Sequence, residues 1–158
     1  MASFDISIKK LLVLEGGYVN NPDDRGKETK FGITKRTYPH LDIANLKVEE
    51  AIEIYERDFW IFDDVSSQEI ADKLFDIVVN VSIRAGVALL QRSLRYVGQR
   101  VRVDGQFGPK TLAATNRADP VRLLKEIKAR AAFRHAKLAI KDKTQVQFLL
   151  TWMRRDIS

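Results

Sequence analysis

Apolar residues recur at three- and four-residue spacing from the start of the chain. Phe4, Ile8, Leu11 and Leu12 share one face of the segment from Ser3 to Glu15, which predicts an amphipathic helix ended by Gly16-Gly17. The periodicity returns over Lys47 to Trp60, with Val48, Ala51, Ile52, Tyr55 and Phe59 inward. Ser66 or Ser67 can cap a further helix that buries Ile70, Leu74, Ile77, Val78 and Val81. Ile83 to Val97 follows, with Val87, Leu90, Leu94 and Val97 inward and Gly98 as its stop. Beyond a loop from Gln99 to Gly108, Pro109 opens a short helix to about Ala118. Asp119-Pro120 starts a longer one to about Ile140, and Thr144 or Gln145 begins a last helix through Trp152. The helical pattern breaks between Tyr18 and Thr34. There Asn20-Asn21-Pro22-Asp23-Asp24-Arg25-Gly26 is rich in turn formers, flanked by Tyr18-Val19 and by Thr29-Lys30-Phe31-Gly32-Ile33, and reads as a small β-hairpin. The expected fold is mainly α, a helical domain with one small β-hairpin near the N-terminus.

Composition narrows the chemistry. With no cysteine, neither a disulfide framework nor a thiolate metal site can form, and His40 and His135 lack ligand spacing, so no metal site is expected. No apolar run approaches the roughly 20 residues that span a bilayer. The opening Met1-Ala2-Ser3-Phe4-Asp5 lacks a signal peptide's basic start, so the expectation is synthesis in the cytoplasm, with any target beyond the membrane reached after the membrane is opened. The net charge of +6 hides an asymmetry: residues 1–83 carry 10 basic and 16 acidic side chains, and residues 84–158 carry 17 and 5. The halves are therefore −6 and +12, and the second should be drawn to anionic surfaces. No helix-turn-helix signal directs that charge to nucleic acid.

Glu15 is the candidate with the most chemistry. It continues the apolar face of the first helix and stands at its C-terminal end. Lost hydration and the negative end of the helix dipole both disfavour the ionised carboxylate there. A carboxyl group kept protonated can give its proton to a leaving group. A hairpin after the helix can return Asp23 or Asp24, with Thr29, towards Glu15. One protected acid opposite one solvated carboxylate is what glycoside hydrolysis requires, and a threonine hydroxyl can hold the attacking water. Tyr18 and Phe31 can stack on a sugar face or close a core edge. Asn20 and Asn80 can bond a substrate or hold local structure, and Asp76 reads as structural.

The run Glu15-Gly-Gly-Tyr-Val-Asn-x-Pro-x-Asp24-x-Gly-x-x-Thr29-Lys-Phe-Gly-Ile-Thr34 resembles the signature of glycoside hydrolase family 108, N-acetylmuramidases of phages, prophages and related bacterial loci. The likeness continues through Tyr55-x-x-x-Phe59-Trp60, Leu74-Phe75-Asp76 and Val79-Asn80. Ala88-x-x-Leu-Gln91-x-x-Leu94 and Val103-Asp104-Gly105-x-Phe107-Gly108-Pro109 are similar to the peptidoglycan-binding region that usually follows. The resemblance implies a lysozyme-like α+β fold, a catalytic region over 1–83, and a helical, basic peptidoglycan-binding region over 84–158. It implies cleavage of the β-1,4 bond between N-acetylmuramic acid and N-acetylglucosamine, with Glu15 as catalytic acid and no cofactor. The spacing of Glu15, Asp24 and Thr29 is also similar to the glutamate, aspartate and threonine of phage lysozymes of another family. Peptidoglycan strands are the expected partner, an anionic envelope surface a second one through the basic half, and the chain is expected to be a monomer that binds no nucleic acid. Lys27, Ser82 and Thr151 stand where glycine is common in the family. A lytic transglycosylase and a non-catalytic wall binder are the rival readings.

Overall fold

A computed structural model describes residues 1–15, 19–20 and 28–157, with Glu15, Val19 and Asn20 described by backbone alone. It is mainly helical, with one small antiparallel sheet. The chain forms two compact units, Ser3–Trp60 and Met1–Ala2 with Ile61–Ser158.

The first unit opens with α1, Phe4–Glu15, whose Phe4, Ile8 and Leu11 are buried. The sheet has strands β1 (Val19–Asn20), β2 (Glu28–Lys30) and β3 (Ile33–Thr34), in that spatial order. Val19 pairs with Thr29 and Asn20 with Glu28, while Thr29 and Lys30 pair with Thr34 and Ile33 on the other side. The sequence suggested one hairpin with Phe31-Gly32 inside its second strand. Those two residues instead form a tight turn, with φ of 51° and 77°, so a second hairpin follows the first. Positive φ at both central residues gives a two-residue loop the twist that antiparallel strands need. Glycine adopts it freely, whereas Phe31 does so at a cost.

After turns held by Lys30 Nζ donating to the Ala44 carbonyl and Lys35 Nζ to that of Leu41, α2 runs Val48–Phe59. The Glu50 carboxylate accepts the Lys47 N–H and closes the start of α2. Its core residues are Ala51, Ile54 and Tyr55; Val48 and Ile52, expected inward, are only half-buried. Trp60, just past the helix, meets the Phe4 ring edge-on at 5.5 Å and ties α1 to α2.

The second unit comprises α3 (Gln68–Val81), α4 (Ile83–Tyr96), α5 (Pro109–Arg117), α6 (Pro120–Lys141) and α7 (Val146–Ile157), with a 3-10 turn at Lys143–Gln145. Of the two candidate serines, Ser67 caps α3. Asp119 caps α6 by accepting the Arg122 N–H at 2.8 Å, with Pro120 in the first turn. A single residue, Ser82, separates α3 from α4, and the helices then close on each other at Gly86, where a Cβ would lie 2.6 Å from Val78 Cγ1.

The loop from Gln99 to Gly108 hangs on one side chain. Gln91 is 1% exposed; its Oε1 accepts the backbone N–H groups of Asp104 and Gly105, and its Nε2 donates to Asp104 Oδ1 and the Gln106 carbonyl. Gly105, at φ 75°, packs so closely that a Cβ would sit 2.8 Å from the Arg84 carbonyl oxygen. The loop delivers Phe107 edge-on to Phe62, ring centroids 5.4 Å apart.

The last helix extends past Trp152 to Ile157. Its extra turn carries Arg155 and Asp156, charged residues that an apolar periodicity cannot register. Arg155 donates to Asp76 Oδ1 at 2.6–2.7 Å, and Asp156, 3% exposed, accepts from His135 Nδ1 at 2.6 Å. Lys73 donates to Asp76 and to the Arg155 carbonyl, and its burial pushes its ammonium below the usual lysine range despite Asp76 nearby. These pairs fasten α7 to α3 and α6.

Candidate active site

Glu15 is the final residue of α1, a helix with no basic residue in its last turn. No side-chain cation of that turn offsets the helix's negative end. Four residues later the chain enters β1, and Val19 pairs with Thr29. The antiparallel register thus brings the Thr29 backbone to the segment that follows Glu15. Thr29 is half-buried and flanked by Val19 on one side and Thr34 on the other. Asp23 and Asp24 fall between the paired Asn20 and Glu28, outside the described residues, as does Tyr18; the side chains of Glu15 and Asn20 are also outside them.

Phe31 is described fully. Its carbonyl accepts the hydroxyl of Tyr55 at 2.9 Å, and the Lys30 ammonium lies 5.6 Å from its ring centre. Tyr55 is 1% exposed, so this bond is made in an apolar surrounding and anchors the turn to α2. Spacing alone places Tyr55 in a core and gives no sign of this role. The signal lay in the motif Tyr55-x-x-x-Phe59-Trp60, which joins the residue that holds the turn to the one that packs on α1. Tyr38, from the following loop, donates to Asp58 Oδ2 at 2.7 Å. Burial first, and then the bond to Asp58, push its phenol above the ordinary tyrosine range. These contacts make the strand pair β2–β3 a fixed platform.

Asn80 belongs to the other compact unit. Its amide donates to the Asp76 carbonyl at 2.7 Å, one turn back on α3, while its exposed side chain borders a pocket of about 360 Å³. Trp152 lines the same pocket, stacked on His135 at 5.0 Å. Asp76, read as structural from the sequence, is fully engaged with Arg155 and Lys73. Among the described residues, no group of three or more His, Cys, Asp or Glu side chains could hold a metal ion, and no helix is long and apolar enough to cross a membrane.

Residues 8–81 match the family model described as glycosyl hydrolase 108, and residues 85–157 match that of a predicted peptidoglycan domain. No curated protein matches the chain. Among solved structures, SagA of Brucella abortus is similar, with a TM-score of 0.74 and 24% identity over 98% of this chain and 93% of that one, which shows a shared fold. The two family matches meet almost end to end, a glycosyl hydrolase 108 domain over residues 8–81 and a predicted peptidoglycan domain over 85–157, and together they indicate a lysozyme-like, peptidoglycan-hydrolysing glycoside hydrolase.

Proposed function

We propose that this hydrolase is an N-acetylmuramidase of the endolysin type. The observation that carries the reading is the order of elements at the N-terminus. A helix ends on Glu15 without a cation in its last turn, and the strand that follows pairs through Val19 with Thr29. In this reading the bond between C1 of N-acetylmuramic acid and O4 of N-acetylglucosamine breaks as Glu15 gives its proton to O4. A water oxygen bonds to C1. Asp24, or Asp23 beside it, supports the positive charge developing on the ring and takes the water's proton, with Thr29 holding that water. Tyr18, Asn20, Phe31 and Asn80 are the candidate sugar contacts. The enzyme acts as a monomer on the wall after the membrane has been opened, and its basic half, +12 over residues 84–158, holds it at anionic envelope surfaces.

The test is digestion of purified, membrane-free sacculi. Glu15→Gln should abolish loss of turbidity while the circular dichroism spectrum stays that of the parent, and full activity in that variant refutes the assignment. Mass spectrometry of the products separates the chemistries. Reducing muramic ends are expected, and 1,6-anhydro ends would make the enzyme a lytic transglycosylase instead.

A further inference from the structure

The basic half concentrates its charge in one place. Between α4 and α6 lies an open groove of about 860 Å³. Arg84 and Arg92 line it from α4, and Arg130, Arg134, Lys137 and Lys141 from α6; no Asp or Glu lines it. Arg130 is neutralised by Glu126 at 2.6 Å. Among the described residues, the other five have no carboxylate partner. Their spacing explains the alignment. Arg84 and Arg92 are eight residues apart, so they stand on one edge of α4, roughly 12 Å from each other. Arg130, Arg134, Lys137 and Lys141 follow the three-and-four spacing along the facing edge of α6. Five unneutralised cations converging on one groove repel one another, and that repulsion is relieved when an anionic surface covers them.

The groove is not purely electrostatic. Phe133 lines it while 62% exposed, with the Lys137 ammonium 4.9 Å above its ring, and Ile140, two turns further along α6, is 79% exposed. Large apolar side chains beside a row of cations match a surface that offers both negative headgroups and a hydrocarbon boundary. A nucleic-acid backbone or an acidic glycan offers the charge without the hydrocarbon. We infer that the α4–α6 groove is a docking site for anionic phospholipid, with Phe133 and Ile140 entering the headgroup boundary and Arg84, Arg92, Arg134, Lys137 and Lys141 meeting the phosphates. The inference gives a site and a ligand class to the proposed attraction of the basic half to envelope surfaces. It does not depend on which glycosidic bond is cut.

The test uses the full chain in co-sedimentation with vesicles of phosphatidylcholine alone and of an equal mixture of phosphatidylcholine and phosphatidylglycerol. The expected result is binding to the mixed vesicles only, weakened by salt. A variant carrying Arg84→Gln, Arg92→Gln, Lys137→Gln and Lys141→Gln should lose roughly tenfold or more in affinity. A second variant, Phe133→Ser with Ile140→Ser, should also bind the mixed vesicles more weakly while binding heparin like the parent. All six positions are exposed, and circular dichroism checks that both variants fold. Equal binding to both vesicle types overturns the inference, and so does parental binding by the charge variant. If Phe133→Ser with Ile140→Ser leaves vesicle binding untouched, the groove is a general polyanion site and the lipid assignment falls. If the charge variant loses binding to purified sacculi but not to vesicles, the groove belongs to the wall. Hydrolysis of sacculi is read separately, so a failed muramidase reading leaves the vesicle result standing.

Discussion

Replacing Ser82 by glycine should stabilise the protein, and replacing it by alanine should do the opposite. Ser82 forms the whole corner between α3 and α4 with φ 144° and ψ 157°, a region open to glycine and unfavourable to any residue with a Cβ. Holding it there costs about 1–3 kcal/mol. Its hydroxyl offsets part of this by accepting the Ala85 N–H at 3.2 Å. Such a cap is worth about 1 kcal/mol. Ser82→Gly removes the strain; glycine is itself an adequate cap, only a few tenths of a kcal/mol poorer than serine. The greater freedom of glycine in the unfolded chain takes back about 0.5–1 kcal/mol. From the middle of the strain range the net gain is roughly 1 kcal/mol. Ser82→Ala keeps the strain and discards the cap, a loss of about 1 kcal/mol. In a chain of 158 residues, thermal unfolding followed by circular dichroism should therefore raise the glycine variant's midpoint by about 2–4 °C and lower the alanine variant's by about as much. If glycine lowers the midpoint as alanine does, the corner is unstrained and the reasoning fails.

Tyr55→Phe should cost about 1–3 kcal/mol in urea unfolding, because it removes the bond to the Phe31 carbonyl and leaves that oxygen unpaired. It should also slow hydrolysis of sacculi by loosening the turn beside Thr29; parental values in both assays would remove Tyr55 as a positioning residue. Gln91→Leu preserves the side chain's bulk yet strands the N–H groups of Asp104 and Gly105, so a loss of about 2–4 kcal/mol is expected, and one below about 1 kcal/mol would show the loop holds itself. The Asp104 carboxyl is held below its ordinary range, first by the Gln106 N–H and then by the Gln91 amide. A depressed carboxyl stabilises the fold above its unfolded pKa, and that contribution is lost as pH falls through the folded value. Asp104→Asn should therefore flatten the fall in stability below about pH 4. An unchanged acid limb would show that this carboxylate does not take part in acid unfolding.

Helical periodicity was legible because most of these helices bury one apolar stripe: Leu74, Val78, Leu90 and Leu94 follow it and are all buried. It failed where burial is achieved by pairing instead. The last turn of α7 reads as Arg154-Arg155-Asp156-Ile157, whose one apolar residue is exposed, yet Asp156 is among the best-buried polar residues because His135 meets it. It failed again at Phe31-Gly32. An aromatic residue between Lys30 and Ile33 looks like strand, and only the pairing of Lys30 with Ile33 forces the two between them into a turn. The candidate site was legible as an order of residues, helix then Glu15 then Thr29, and the strand register keeps that order. Its aspartates, Tyr18 and the carboxyl of Glu15 lie outside the described residues, so their chemistry stands on the motif.

What the family motifs mark along the described chain is largely backbone geometry. Among the described residues positive φ occurs at Phe31, Gly32, Ser82, Gly98 and Gly105, and all but Gly98 fall inside or beside a motif. Three of them are held by side chains or close packing: Phe31 by the hydroxyl of Tyr55, Ser82 by its own cap on Ala85, and Gly105 by the Gln91 side chain and the Arg84 backbone. A residue forced into this region gains nothing locally, so it persists only where something else in the fold holds it there. The motif positions that carry no chemistry, Tyr55 and Gln91 among them, are those restraints. The serine at 82 follows from the same logic: where glycine would take the corner without strain, this chain keeps the geometry by giving the strained residue a hydrogen bond of its own.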